Sequence, residues 1–196
     1  MTLHAVVVRQ PWASLVAHGI KQIETRGFAP KSTVRPGDRL AIVAGANPKS
    51  LVIRSGDPHA EVQEQGWRAL KAHVAPDLAY VPVPPLGAVV AVVTYDEALR
   101  IADVPGDADD GIFHDVTDGE AWVWTGSEDR DITDQLPLGD FTPSRYGWML
   151  SNPQRLTVPV PCPAVAPDGT RINMQGVFRL PAAVEAAVVA QIGGES

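Results

Sequence analysis

The run Gly87-Ala88-Val89-Val90-Ala91-Val92-Val93-Thr94-Tyr95 has no polar side chain before Thr94. A strand of this kind has no face to show to water, so it belongs in the middle of a sheet covered on both sides. Every other segment must be arranged around it. Residues 3–9 and 39–44 alternate or are β-branched and read as strands, as do 21–26, 121–124, 146–150, 155–160 and 175–180. Helical spacing marks residues 11–18 and 60–74, the latter with Val62, Trp67, Leu70 and Val74 on its apolar side, and a C-terminal helix that starts at Pro181. Six or more short strands with few helices predict an α+β fold, a small β-barrel with helices packed outside.

Turn chemistry sets the punctuation. Arg35-Pro36-Gly37-Asp38 suits a type II turn, with Pro and Gly at its centre. Ser151-Asn152-Pro153 bridges two predicted strands, and Val81-Pro82-Val83-Pro84-Pro85 reads as a linker. Residues 103–119 are acidic and contain Gly, and they read as an insertion loop that a variant could lose. Such a loop is a spectator, or a lid anchored by Phe113. The spectator is favoured, because its acids would repel a phosphate site's cations.

At 196 residues with 45% hydrophobic side chains the chain suits one domain with a real core. Apolar runs such as Ala88-Val89-Val90-Ala91-Val92-Val93 are far too short to span a bilayer. Residues 1–9 lack a basic leader and read as a strand. The single Cys162 permits no internal disulfide and no cysteine zinc site. These features predict a cytoplasmic protein with no membrane partner. The net charge of −7 argues against coating nucleic acid by bulk electrostatics. Yet half of the Lys and Arg lie in the first 54 residues, so a phosphate would go there.

That region contains Gly19-Ile20-Lys21-Gln22-Ile23-Glu24-Thr25-Arg26, three charges at a helix-to-strand junction. Pro11 suits a helix start and Gly19 the left-handed position just past its end. In a regular strand Glu24 and Arg26 share a face that Lys21 does not. Lys21 reaches Glu24 only if the backbone bends just after Gly19.

The pattern Gly-x-Lys-x-x-Glu-x-Arg resembles the signature of the ASCH (activating signal cointegrator homology) domains, relatives of the PUA-like RNA-binding barrels. Three further stretches, in the same order, are similar to that family. They are Gln10-Pro11-Trp12-Ala13, Pro36-Gly37-Asp38-Arg39-Leu40, and Arg145-Tyr146-Gly147-Trp148-Met149-Leu150 taken with Gln175-Gly176-Val177-Phe178-Arg179-Leu180-Pro181. The resemblance implies one domain over residues 1–181, with insertions at about 46–85 and 97–144, then a C-terminal helix and tail over 182–196. It implies a cleft lined by the signature and a ligand that is RNA, a nucleotide or a modified nucleobase. Some small relatives remove an acyl group from the exocyclic amine of cytidine without a metal. Those carry Thr where this chain has Glu24 and use a further Glu downstream. The departure leaves binding intact and sets hydrolysis behind it.

Each candidate has a plain reading and a functional one. Lys21 is an exposed helix-end lysine, or a phosphate anchor, base or nucleophile. Glu24 pairs with Arg26, or reads an exocyclic amine. Arg26 is Glu24's partner, or a phosphate fork. Trp12 and Trp148 are core, or stacking platforms. Arg145 and Tyr146 form a turn into a strand, or hold a nucleotide with Trp148. Arg9 adds positive potential. No cofactor is expected: His114, Asp115 and Asp118 make only a weak metal set, and the Gly of Asp107-Ala108-Asp109-Asp110-Gly111 comes one position early for a calcium loop. If the chain is an enzyme, Lys21 and Glu24 are its catalytic pair. A weaker third reading gives the acidic insertion a protein partner.

Overall fold

The computed structural model describes residues 2–30, 34–53, 60–77, 82–102, 111–115, 120–124, 129–165, 169 and 171–193; at 113–115, 124 and 129 it describes the backbone alone. In chain order the elements are β1 (His4–Val8), α1 (Trp12–Ala17), β2 (Ile23–Arg26), β3 (Arg39–Ala44), α2 (Ala60–Val74), β4 (Ala88–Ala102), β5 (Gly111–Asp115), β6 (Glu120–Trp124), β7 (Asp129–Asp131), β8 (Tyr146–Pro161), β9 (Val177–Arg179) and α3 (Ala182–Ile192). Short 3₁₀ helices lie at Pro48–Leu51 and Thr133–Leu138.

The apolar run of residues 87–95 opens β4, and β4 is the hub of the sheet. It pairs antiparallel with β3 on one side and β8 on the other, and its last residues pair parallel with β5. The order β7-β6-β5-β4-β3-β1-β9 continues from it, and β8 carries β2. Both faces of the centre are covered, as an apolar strand demands. Leu40, Ile42 and Ala44 of β3 face one cluster, which includes Ala13 and Val16 of α1. Ala41 and Val43 face another, which includes Val184 and Val188 of α3.

The fold is thus mixed α+β with few helices. The expected closure into a barrel is not seen: among the described residues no ladder joins β2 to β1 or β9, and the sheet stays open. The contact across that gap is a side chain, Arg26 Nη2 donating to the Val7 carbonyl at 2.5 Å. No helix among the described residues is long and apolar enough to cross a membrane.

Two sequence expectations change. Residues 146–161 form one strand, not two, because the Ser151-Asn152-Pro153 bridge is absorbed as an irregularity. Asn152 takes φ 47°, and the β4–β8 register slips at three places along the pair. The second change concerns residues 103–119. Residues 103–110 and 116–119, with Asp107, Asp109 and Asp118, lie outside the described residues. Residues 111–115, read as loop, are β5. The side chains of Phe113, His114 and Asp115 are outside the described set, so the lid anchor and the weak metal set are too. Ile112, however, is fully buried, in a cluster with Ile23, Ile101, Ile132, Phe141 and Met149. Deleting residues 103–119 would open that cluster rather than spare the fold.

Ile112→Ala should therefore cost about 2–5 kcal/mol, the usual range for truncating a fully buried Ile. Urea unfolding followed by tryptophan fluorescence measures it. A loss below about 0.5 kcal/mol would show that β5 is a spectator after all.

Candidate functional site

The signature segment begins where α1 ends. Gly19 takes φ 72°, a conformation that a side chain would strain. The N–H groups of Ile20 and Lys21 then both bond to the Leu15 carbonyl, at 3.0 and 3.2 Å. The chain folds back on the helix end before β2 starts at Ile23. This is the bend that the spacing of Lys21 and Glu24 requires.

The bend turns Lys21 inward. The residue is 2% exposed, which rules out the plain reading of a solvated helix-end lysine. Its Nζ donates to the Ile23 carbonyl at 2.5 Å and the Leu138 carbonyl at 2.7 Å, and lies 3.7 Å from Glu24 Oε2. Burial pushes the Lys21 amine below the ordinary lysine range; Glu24 opposes that shift and Arg26 adds to it. Glu24 is 8% exposed, and its Oε1 lies 2.9 Å from Arg26 Nε. That contact is ionic only, since the Arg26 Nε–H makes no aligned hydrogen bond. Arg26 is instead oriented by the Val7 carbonyl and by the ring of Trp148, whose centroid lies 5.9 Å from its guanidinium carbon.

A second wall comes from the loop that follows the Thr133–Leu138 turn. Asp140 N–H donates to Thr25 Oγ1 at 3.0 Å, and Arg145 Nη2 donates to the Thr25 carbonyl at 3.4 Å. Arg145 Nη1 lies 3.4 Å from Asp140 Oδ2. The Thr142 hydroxyl donates to Asp140 Oδ1 at 2.5 Å. Gly139 permits this approach: a Cβ there would sit 2.9 Å from the Phe141 ring and 3.1 Å from the Thr25 methyl.

Between the walls lies a cavity of about 780 Å³, a size suited to one small ligand. Its lining includes Arg9, Trp12, Lys21, Glu24, Arg26 and Arg145, six of the eight residues singled out from sequence. Arg9 is exposed and its guanidinium carbon lies 6.0 Å from the Trp12 ring centroid. Trp12 is half-buried and leans toward α2; its indole N–H is buried without a partner. Four cations and two carboxylates, Glu24 and Asp140, line the cavity, leaving two positive charges in excess within a chain of net charge −7.

Trp148 and Tyr146 are not among the walls. Trp148 is fully buried in β8, its indole donates to the Phe28 carbonyl at 2.9 Å, and it packs edge-to-face on Phe28 and Tyr95. It cannot stack on a ligand, because its own ring is fully buried; it supports Arg26 instead. Tyr146 is half-buried and packs against the same core cluster. The residues that sequence reading missed are Thr25, Asp140 and Thr142, with the Leu138 carbonyl. Their one signal was Gly139-Asp140 placed shortly before Arg145, inside the stretch of about 97–144 read as an insertion.

No protein-family model matches the chain, and no curated protein matches it.

Replacing Lys21 with Met keeps its length and removes its charge. It leaves two buried carbonyls and Glu24 without their donor. The expected cost is about 3–5 kcal/mol, the cost of breaking a buried pair; an exposed pair would lose about 0–1 kcal/mol. Urea denaturation of Lys21→Met discriminates the two, and a loss under about 1 kcal/mol would contradict the buried geometry.

Proposed function

We propose that this cavity binds a nucleotide or a modified nucleobase, and that the chain is an ASCH-type member of the PUA-like barrels working in the cytoplasm. One observation carries the reading: in an acidic chain, the charged side chains that line this open cavity are mostly cationic, four against two. An anion with a hydrogen-bonding ring satisfies such a lining. Arg9, Arg26 and Arg145 would meet phosphate as forks. Glu24 would accept from an exocyclic amine, held for that by Lys21 and Arg26. Trp12 would flank the base. The acidic remainder opposes a long strand, since an extended RNA needs several phosphate contacts.

The metal-independent amidohydrolase reading has one observation of its own. Lys21 and Glu24 sit together in a buried pair, and burial depresses the lysine. In that reading Glu24 takes a proton from water, the water oxygen adds to the acyl carbon, and the carbon–nitrogen bond breaks. The released amine gains a proton and the acyl group leaves as a carboxylate. Lys21 Nζ is committed to two carbonyls, so its part is electrostatic rather than nucleophilic.

Titration calorimetry with ribonucleotides and modified cytidines, each incubation then read by mass spectrometry, tests both readings. Retention without mass change supports the binder, and loss of an acyl mass supports the hydrolase. For a bound mononucleotide the log-log salt slope should be shallow, at about −0.7 per phosphate contact. A slope steeper than about −3, with tight binding of long RNA, would contradict the proposal.

A further inference from the structure

We infer that the cavity selects a terminal phosphate monoester over a phosphodiester or an unphosphorylated nucleoside. This rests on the nucleotide reading and narrows it. Three guanidinium groups, of Arg9, Arg26 and Arg145, line the cavity. Arg26 reaches the carbonyl of Val7, two residues before Arg9. Arg145 reaches the carbonyl of Thr25, the residue beside Arg26. Arg9 has no carboxylate partner among the described residues, and its guanidinium carbon lies 6.0 Å from the Trp12 ring centroid.

The charge count points to the kind of phosphate. Lys21 and Arg26 share Glu24, and Arg145 faces Asp140. The excess is two positive charges. A monoester carries close to two negative charges at neutral pH and three acceptor oxygens, enough for several forks. A diester carries one negative charge and has two bridged oxygens.

The test compares calorimetric affinities for four probes on the full chain: a ribonucleoside, its 5′-monophosphate, the corresponding dinucleoside monophosphate and inorganic phosphate. The monophosphate should bind at least tenfold more tightly than the nucleoside and the dinucleoside monophosphate, with inorganic phosphate as a weak competitor. Arg145→Gln should reduce the monophosphate-to-nucleoside ratio toward one. Arg145 helps hold the loop, so Arg9→Gln serves as the second variant: Arg9 is exposed, and its loss should lower the same ratio several-fold in a protein that still folds. Equal affinity for nucleoside and monophosphate would overturn this inference and leave base recognition standing. Binding of inorganic phosphate with no nucleotide preference would overturn the nucleotide reading. Silence from all four probes would overturn both.

Discussion

A single buried ammonium holds the site together. Lys21 Nζ bonds the carbonyl at the head of β2 and the carbonyl that ends the Thr133–Leu138 turn, and faces Glu24. Two parts of the chain, 117 residues apart, meet at one nitrogen. Taking a charge out of water is expensive, and this one is compensated only while all its partners stay in place. The loop that carries Asp140, Thr142 and Arg145 is therefore fixed against β2. That tie and the bonds of Asp140 and Arg145 to Thr25 together keep the second wall in place.

The rest of the sheet supports the same corner from behind. β4 runs long enough to pair with three strands, so β8 is carried on the core and holds β2, which pairs with β8 alone, at its far side. Trp148, fully buried in β8, places its ring under Arg26 while its indole holds the Phe28 carbonyl. Arg26 in turn spans the gap to β1 through Val7. At the open seam of the sheet a guanidinium bond thus joins β2 to β1 where no backbone ladder does.

Much of this was legible in the residues. The apolar run from Gly87 shows directly that its strand is covered on both faces. Gly19 marks the helix end because few other residues accept its dihedral angle, and the spacing of Lys21 and Glu24 implies the bend. Other parts were not legible, for physical reasons. Burial of Lys21 depends on the Leu138 carbonyl, which no local pattern announces. Asp140 and Thr142 sit in an acidic stretch whose composition resembles a solvated loop, and their role is set by tertiary contacts to Thr25. Ile112 and Phe113 are a short apolar pair flanked by acids and a glycine, yet the β4 end recruits the segment as a strand. Aromatic character alone cannot separate Trp12, at the cavity, from Trp148, beneath it.

The central claim is that Lys21 and Glu24 act as one buried unit. A double-mutant cycle of Lys21→Met and Glu24→Gln, read by urea unfolding, tests it most directly. Groups in contact within one polar network should be non-additive, with an interaction energy of about 1–3 kcal/mol. Additivity within about 0.5 kcal/mol would contradict the account, since it would mean that the two charges meet in the structure without depending on one another.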